Sequence, residues 1–217
     1  MSTKNLPKRV ASYCMGLLLL AFGVTFSVRS NLGVSPVNSI PYVLSLLTGI
    51  EQGILTTCVF CSYILIQAAI LRKEFKPINL LQIVFASIFG YFVTFSNHLW
   101  AFLPAPANYG VRLGFLAVSM VFVALGLMFY LAADIVPQPA EGVMLAINLK
   151  TGVEFSKVKV MFDVTVVIIA AAISLIGFGK LQGVREGTLI AAIGIGKILG
   201  ILNQKYKKSI EDFLHNM

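Results

Sequence analysis

Long apolar runs alternate with short polar breaks along the whole chain. Six runs reach membrane length, at residues 10–29, 53–71, 78–101, 112–133, 158–178 and 187–204. A helix needs about 20 apolar residues to cross the hydrocarbon core. Two shorter apolar stretches, 36–49 and 139–152, each follow a polar break. A helix of that length rises about 21 Å, too little for a comfortable crossing, so these stretches read as half-helices or re-entrant segments. A membrane β-barrel would instead show short alternating segments. The pattern predicts an all-α polytopic membrane protein with six transmembrane helices and two re-entrant or half-helices.

The pattern also repeats. A shift of 103 positions sets Gly23 on Gly126, Asn31 on Asp134, Pro36 on Pro139 and Asn38 on Glu141. It also sets Thr48 and Gly49 on Thr151 and Gly152, and Glu51 on Glu154. After one extra residue, Gln82 meets Glu186 and Gly90 meets Gly194. A constant offset through polar positions predicts an internal duplication. Residues 1–102 form the first repeat and 103–217 the second, within one membrane domain.

Charge orients this arrangement. With three crossings per repeat and a cytoplasmic N-terminus, twelve basic residues fall inside: Lys4, Lys8, Arg9, Arg72, Lys73, Lys76, Lys150, Lys157, Lys159, Lys205, Lys207 and Lys208. Four fall outside, namely Arg29, Arg112, Lys180 and Arg185, and Lys197 lies within the last helix. If the short stretches crossed fully, residues 72–76 would face outward, against the positive-inside rule. The count favours an inverted 3+3 repeat with both termini cytoplasmic.

Composition narrows the classes. Of 217 residues, 58% are hydrophobic and 12% charged, and the net charge is +8. In such a chain the excess of Lys and Arg reads as topology, not nucleic-acid binding. The terminal tails leave no room for a nucleotide-binding engine, and the basic head lacks a cleavage-site pattern, so the first helix is expected to be retained. Cys14, Cys58 and Cys61 lie in apolar helices and read as small buried hydrophobes. No metal or cofactor is expected.

The polar breaks carry the candidate chemistry. "SPVN" at 35–38 and "QPAE" at 138–141 have the form of helix starts. Ser35 or Gln138 would cap, and Pro36 or Pro139 would be the first helical residue, where a missing N–H costs nothing. Asn38 and Glu141 fall where a side chain turns back to the orphan amides. Broken backbone at membrane depth survives in a protein interior or beside a wet cavity. Glu141 therefore reads either as a capping carboxylate or as part of a ligand site at two facing half-helix starts.

The other polar residues extend this set. Arg29, Asn31 and Asp134 flank the breaks. Asp163, in "KVMFDVTVV", needs a wet or paired location, because an intramembrane charge is costly. Lys197 either snorkels to the cytoplasm or serves as counter-ion to Glu141 or Asp163. Gly194, Gly196 and Gly200 have small-xxx-small spacing that suits close internal packing. His98 reads as an interfacial residue without a ligand role.

The segments "GLLLLAFGVTFSVRSNLGVSPVNSIPYVLS" and "REGTLIAAIGIGK" resemble the YczE/YitT-like integral membrane proteins of bacteria. The most specific parts are the "NLGVSP" break and "REGT" at 185–188. The resemblance implies a multi-pass protein of the bacterial inner membrane. It supplies no binding residues.

The expected function is that of a secondary transporter of a small organic solute, driven by a proton or sodium gradient, working by alternating access around the paired half-helix starts. Glu141 and Asp163 are the expected coupling carboxylates. Asn38, Ser35 and Gln138 are the expected substrate contacts. The carboxylates suit a cationic solute, while half-helix amides suit an anion, so the sign stays open. Alternatives are a passive small-solute channel, the substrate-binding subunit of a vitamin importer, and a membrane scaffold. A homodimer is compatible with all of them. An enzyme is not expected, since no serine–lysine, paired-acid or HExxH constellation is present.

Overall fold

The computed structural model describes residues 5–104 and 106–215, with the side chains of residues 156, 207, 211 and 215 outside that description. Lys4 and the Lys207 side chain, counted above among the cytoplasmic charges, lie outside the described residues. The described regular structure is helical: α1 (Leu6–Ser30), α2 (Pro36–Thr48), α3 (Gln52–Leu71), α4 (Leu81–Leu99), α5 (Tyr109–Ala133), α6 (Pro139–Thr151), α7 (Phe155–Phe178) and α8 (Glu186–His215). Two short 3-10 turns, Arg72–Glu74 and Pro77–Leu80, join α3 to α4. Six helices are long and apolar enough to cross a membrane: α1, α5, α7, α8, and α3 and α4 with their flanking turns. The short stretches are helices of 13 residues each.

Local chemistry sets the helix ends. Asn31 ends α1 and Asp134 ends α5, both left-handed at φ 52° and 46°. Asn and Asp tolerate that region better than other side chains, and each amide closes on the carbonyl three residues back. Beyond α2 and α6 the likeness is bond for bond. Gly49 and Gly152 are left-handed at φ 72° and 70°. Thr48 and Thr151 each donate to the carbonyl four residues back and accept an amide two residues on, at 3.2 Å in both cases. Ser45 donates to Ile50 O and Asn148 to Val153 O, both at 2.7 Å.

The chain divides into two compact units. The first comprises the described residues of Met1–Ser35, Phe95–Ile135 and Arg185–Met217, the second Pro36–Thr94 and Val136–Val184. Each therefore draws helices from both 1–102 and 103–217.

In the first unit α1 lies along α5, and small residues set the approach. A Cβ on Gly126 would stand 2.7 Å from Gly16 O. Ser119 Oγ donates to Gly23 O at 2.7 Å. Tyr13 meets Tyr130 edge-on at 5.3 Å, and Phe26 gathers Trp100, Phe115 and Phe122 around it. Thr25 bonds to Ser96 and Asn97, each at 2.7 Å. The far end of α8 returns to the start of α1, where Lys8 Nζ lies 5.1 Å from the Phe213 ring.

In the second unit α2 packs on α7 and α3 on α6. Phe60 stacks on Phe89 at 5.6 Å, joining α3 to α4. Leu47, near the end of α2, packs against Gly177 near the end of α7. The counterpart 103 residues on is charged: Lys150 Nζ bonds to Glu74 Oε1 at 2.6 Å.

Candidate functional site

The break before α2 belongs to the first unit and is held by the start of α8. Gly187 N–H donates to Leu32 O at 2.7 Å. Arg185 Nη1 donates to Asn31 O at 3.1 Å. Gly33 takes φ 107°, and a Cβ there would stand 2.5 Å from Thr188 Oγ1. The "NLGVSP" and "REGT" segments thus dock on each other. Glycine is required at 33 both for its backbone angle and for space. Arg29 Nη1 donates to Leu103 O at 2.7 Å, so its hydrogen bond runs to a carbonyl. Asn31 is exposed and Ser35 half-buried.

The end of α5 carries a buried cation. Arg9 is 2% exposed. Its Nε donates to Ala133 O at 2.8 Å, and its Nη2 donates to Asp134 O. These are the terminal carbonyls of a helix, where a positive charge is favoured. The Asp134 carboxylate stands 3.9 Å from Arg9 Nη2 with its side chain 89% exposed. The sequence pattern placed Arg9 among the twelve inside charges. Its burial depends on α5, which the pattern of α1 does not reveal.

The start of α6, in the second unit, answers why polar residues interrupt the apolar run. Gln138 is the cap, Pro139 the first helical residue, and Glu141 stands in the first turn. Glu141 Oε2 accepts the Gln138 N–H at 3.0 Å, and Gly142 N–H donates to Gln138 O at 2.8 Å. This is a capping box, in which the carboxylate supplies both an acceptor and the negative charge the helix start favours. In α2, Asn38 is buried in the matching turn, and Ser39 Oγ donates to Pro36 O at 2.6 Å.

Beside this start lies a polar group that the candidate list touched at one residue. Tyr63 and Gln67 stand one turn apart on the buried face of α3, 5% and 4% exposed. Gln67 lies over Gly142, where a Cβ would come within 2.9 Å of both its amide heteroatoms. Tyr63 meets Phe162 of α7 edge-on at 5.4 Å. The next residue, Asp163, lies within electrostatic reach of the Tyr63 phenol. Asp163 Oδ2 bonds to Lys159 Nζ at 3.0 Å, with Asp163 20% and Lys159 52% exposed.

On α3 and α7 the buried atoms Tyr63 Oη, Gln67 Oε1 and Asp163 Oδ1 make no hydrogen bond to the protein. Buried polar atoms are normally paired, because leaving one unmade costs about 1–3 kcal/mol. The residues 103 positions from Tyr63 and Gln67 are Val166 and Ala170, both buried and apolar. The polar group therefore stands on the α3–α6 side alone. Its signal was legible as Gln67, an uncharged polar residue inside a membrane-length run.

The remaining candidates belong to the first unit. Lys197 is exposed on α8 in the first unit, with Arg29, Asn31, Ser35 and Asp134. Of the α8 glycines, Gly194 faces Met120 of α5, while Gly196 and Gly200 border open space. The close-packing expectation holds at Gly194 and fails at Gly196 and Gly200, the pair that has the small-xxx-small spacing. His98 is exposed on α4. Cys58 is exposed and Cys14 and Cys61 are half-buried, which corrects the expectation of three buried cysteines. The apolar face of α3 that carries Cys58 points away from its packing partners.

Comparison with known proteins gives the family. Residues 7–204 match the model of a "Family of unknown function (DUF6198)", and the chain belongs to that family. It is 27% identical over 197 residues to "Uncharacterized membrane protein YczE" of Bacillus subtilis (strain 168), covering 90% of this chain and 86% of the relative. It is 26% identical over 193 residues to "Uncharacterized protein YyaS" of the same organism, covering 87% and 89%. No solved structure matches it. The chain is a membrane protein of a YczE-like family.

Proposed function

We propose that the chain is a gradient-driven secondary transporter of a small organic solute, with its binding group at the polar break before α6. The observation that carries the reading is the set of buried, unmatched polar atoms on Tyr63, Gln67 and Asp163 beside that break. Polar groups in a membrane interior are costly and mark solute or ion pathways. Two further features support it. Short proline-started helices follow α1 and α5, and inverted-repeat transporters build midplane sites from such interrupted helices. The caps, turns and hydrogen bonds that recur 103 residues apart support a duplication, and the odd number of crossings per half makes it an inverted one. In this reading α2 and α6 enter the membrane and return, and the termini face the cytoplasm of a bacterial inner membrane.

Asp163 is the coupling carboxylate in this scheme. Glu141, tied to its own helix start, positions α6. The test is uptake into proteoliposomes of a panel of radiolabelled solutes, with and without imposed proton and sodium gradients. Accumulation above equilibrium that collapses with an ionophore is the expected result, and Asp163→Asn abolishes it. Equilibration indifferent to any gradient would replace the transporter by a channel. Absence of flux for every solute from folded, correctly oriented protein would overturn transport altogether.

A further inference from the structure

The sign of the solute is open in the sequence, and the geometry bears on it. A helix start attracts anions through its unmatched amides. At α6 that role is already filled: Glu141 stands in the first turn and accepts the Gln138 amide. An incoming anion would find an anion in place. The unmatched atoms that α3 and α7 present have the opposite preference. Asp163 Oδ1 and Gln67 Oε1 are acceptors, and Tyr63 presents a hydroxyl and a ring. Two acceptors, one of them charged, call for a donor-bearing cation.

Lys159 strengthens the argument. Its ammonium lies 3.0 Å from Asp163 Oδ2 and is half exposed, while Oδ1 of the same carboxylate is buried and unmatched. The carboxylate thus has one oxygen held by a tethered ammonium and the other turned into the protein. A second ammonium at this carboxylate would have the tethered one as a competitor.

We propose that the junction of α3, α6 and α7 binds the ammonium group of a small organic amine, with Asp163 as counter-ion, Gln67 Oε1 and Tyr63 Oη accepting its N–H groups, and the Tyr63 and Phe162 rings flanking it. Aromatic faces beside a carboxylate attract cations. The solute class rests on the transport reading above, but binding is measured without flux.

The first experiment is calorimetric titration and thermal unfolding of the purified full chain with n-butylammonium chloride. Sodium butyrate and sodium chloride at equal ionic strength serve as controls. Butylammonium binds and raises Tm, and butyrate does not. Asp163→Asn weakens butylammonium by at least about tenfold, since it removes the buried charge of the pair. Tyr63→Phe, which keeps the ring and the packing, weakens it by about three- to tenfold, the worth of one hydrogen bond.

The decisive variant is Lys159→Gln. A merely structural ion pair predicts lower stability and no change in affinity. A tethered competitor predicts butylammonium binding a few-fold tighter, as expected from releasing an exposed pair. No butylammonium binding to wild type, or unchanged affinity in both Asp163→Asn and Lys159→Gln, overturns the site. Binding without flux in proteoliposomes overturns transport and leaves the site standing. Flux that survives Asp163→Asn overturns the site and leaves transport standing.

Discussion

Glu141 acts on its own helix first. Its carboxylate holds the Gln138 amide at 3.0 Å, so Glu141→Ala is expected to lower stability by about 1 kcal/mol, the usual worth of a cap. Glu141→Gln keeps an acceptor and loses the charge, worth about 0.3–1 kcal/mol at a helix start. Thermal unfolding in detergent reads both. A Gln variant less stable than the Ala variant would show that the box is not what holds α6. Arg9 is the larger stake. Arg9→Met removes the donors to Ala133 O and Asp134 O, at a cost of about 1–3 kcal/mol. Arg9→Lys falls between, because a single ammonium lacks the fork. The two residues differ in how far sequence could reveal them. Gln138, Pro139 and Glu141 are neighbours, so their box is written in four letters. Arg9 and Asp134 lie in different helices, and nothing local joins them. Tyr63 and Gln67 are intermediate: their spacing puts them on one face of α3, but what that face meets depends on α6 and α7.

At the scale of elements, the crossing of α1 and α5 depends on glycine. Gly126→Val would drive a Cβ to 2.7 Å from Gly16 O and 2.8 Å from the Leu20 amide. Backbone cannot yield as a side-chain tip does, and overpacking costs about 1–3 kcal/mol or more. Gly200→Ala, on open space in α8, is expected to leave stability unchanged or slightly raised by helix propensity. Unfolding of the two variants side by side checks the contrast, and equal effects would refute the assigned crossing. The long helices themselves were plain in the hydrophobic pattern, within about four residues at each end, except that α8 runs on to His215, well past the expected 204. Which helix packs on which was not, because lipid-facing and protein-facing residues are equally apolar in a membrane chain.

At the scale of the molecule, the Lys150–Glu74 pair and the Leu47–Gly177 contact mark two ends of the second unit, one charged and one apolar. In the proposed topology the charged end faces the cytoplasm. In a chain with its three cysteines replaced by serine, a cysteine at 73 or 157 should react with an impermeant maleimide only in inside-out vesicles. One at 180 should react only in right-side-out cells. Labelling of 73 and 180 from the same side would remove the six-crossing topology.

The pairing of α1 with α5, α2 with α7 and α3 with α6 also sets a timetable. A ribosome delivers the first of each pair well before the second. Until residue 170 or so has left the exit tunnel, α3 waits in the membrane with Tyr63 and Gln67 facing lipid or an insertase instead of α6 and α7. A pause in synthesis within the second half is therefore expected to lengthen the time that α3 spends without its partners.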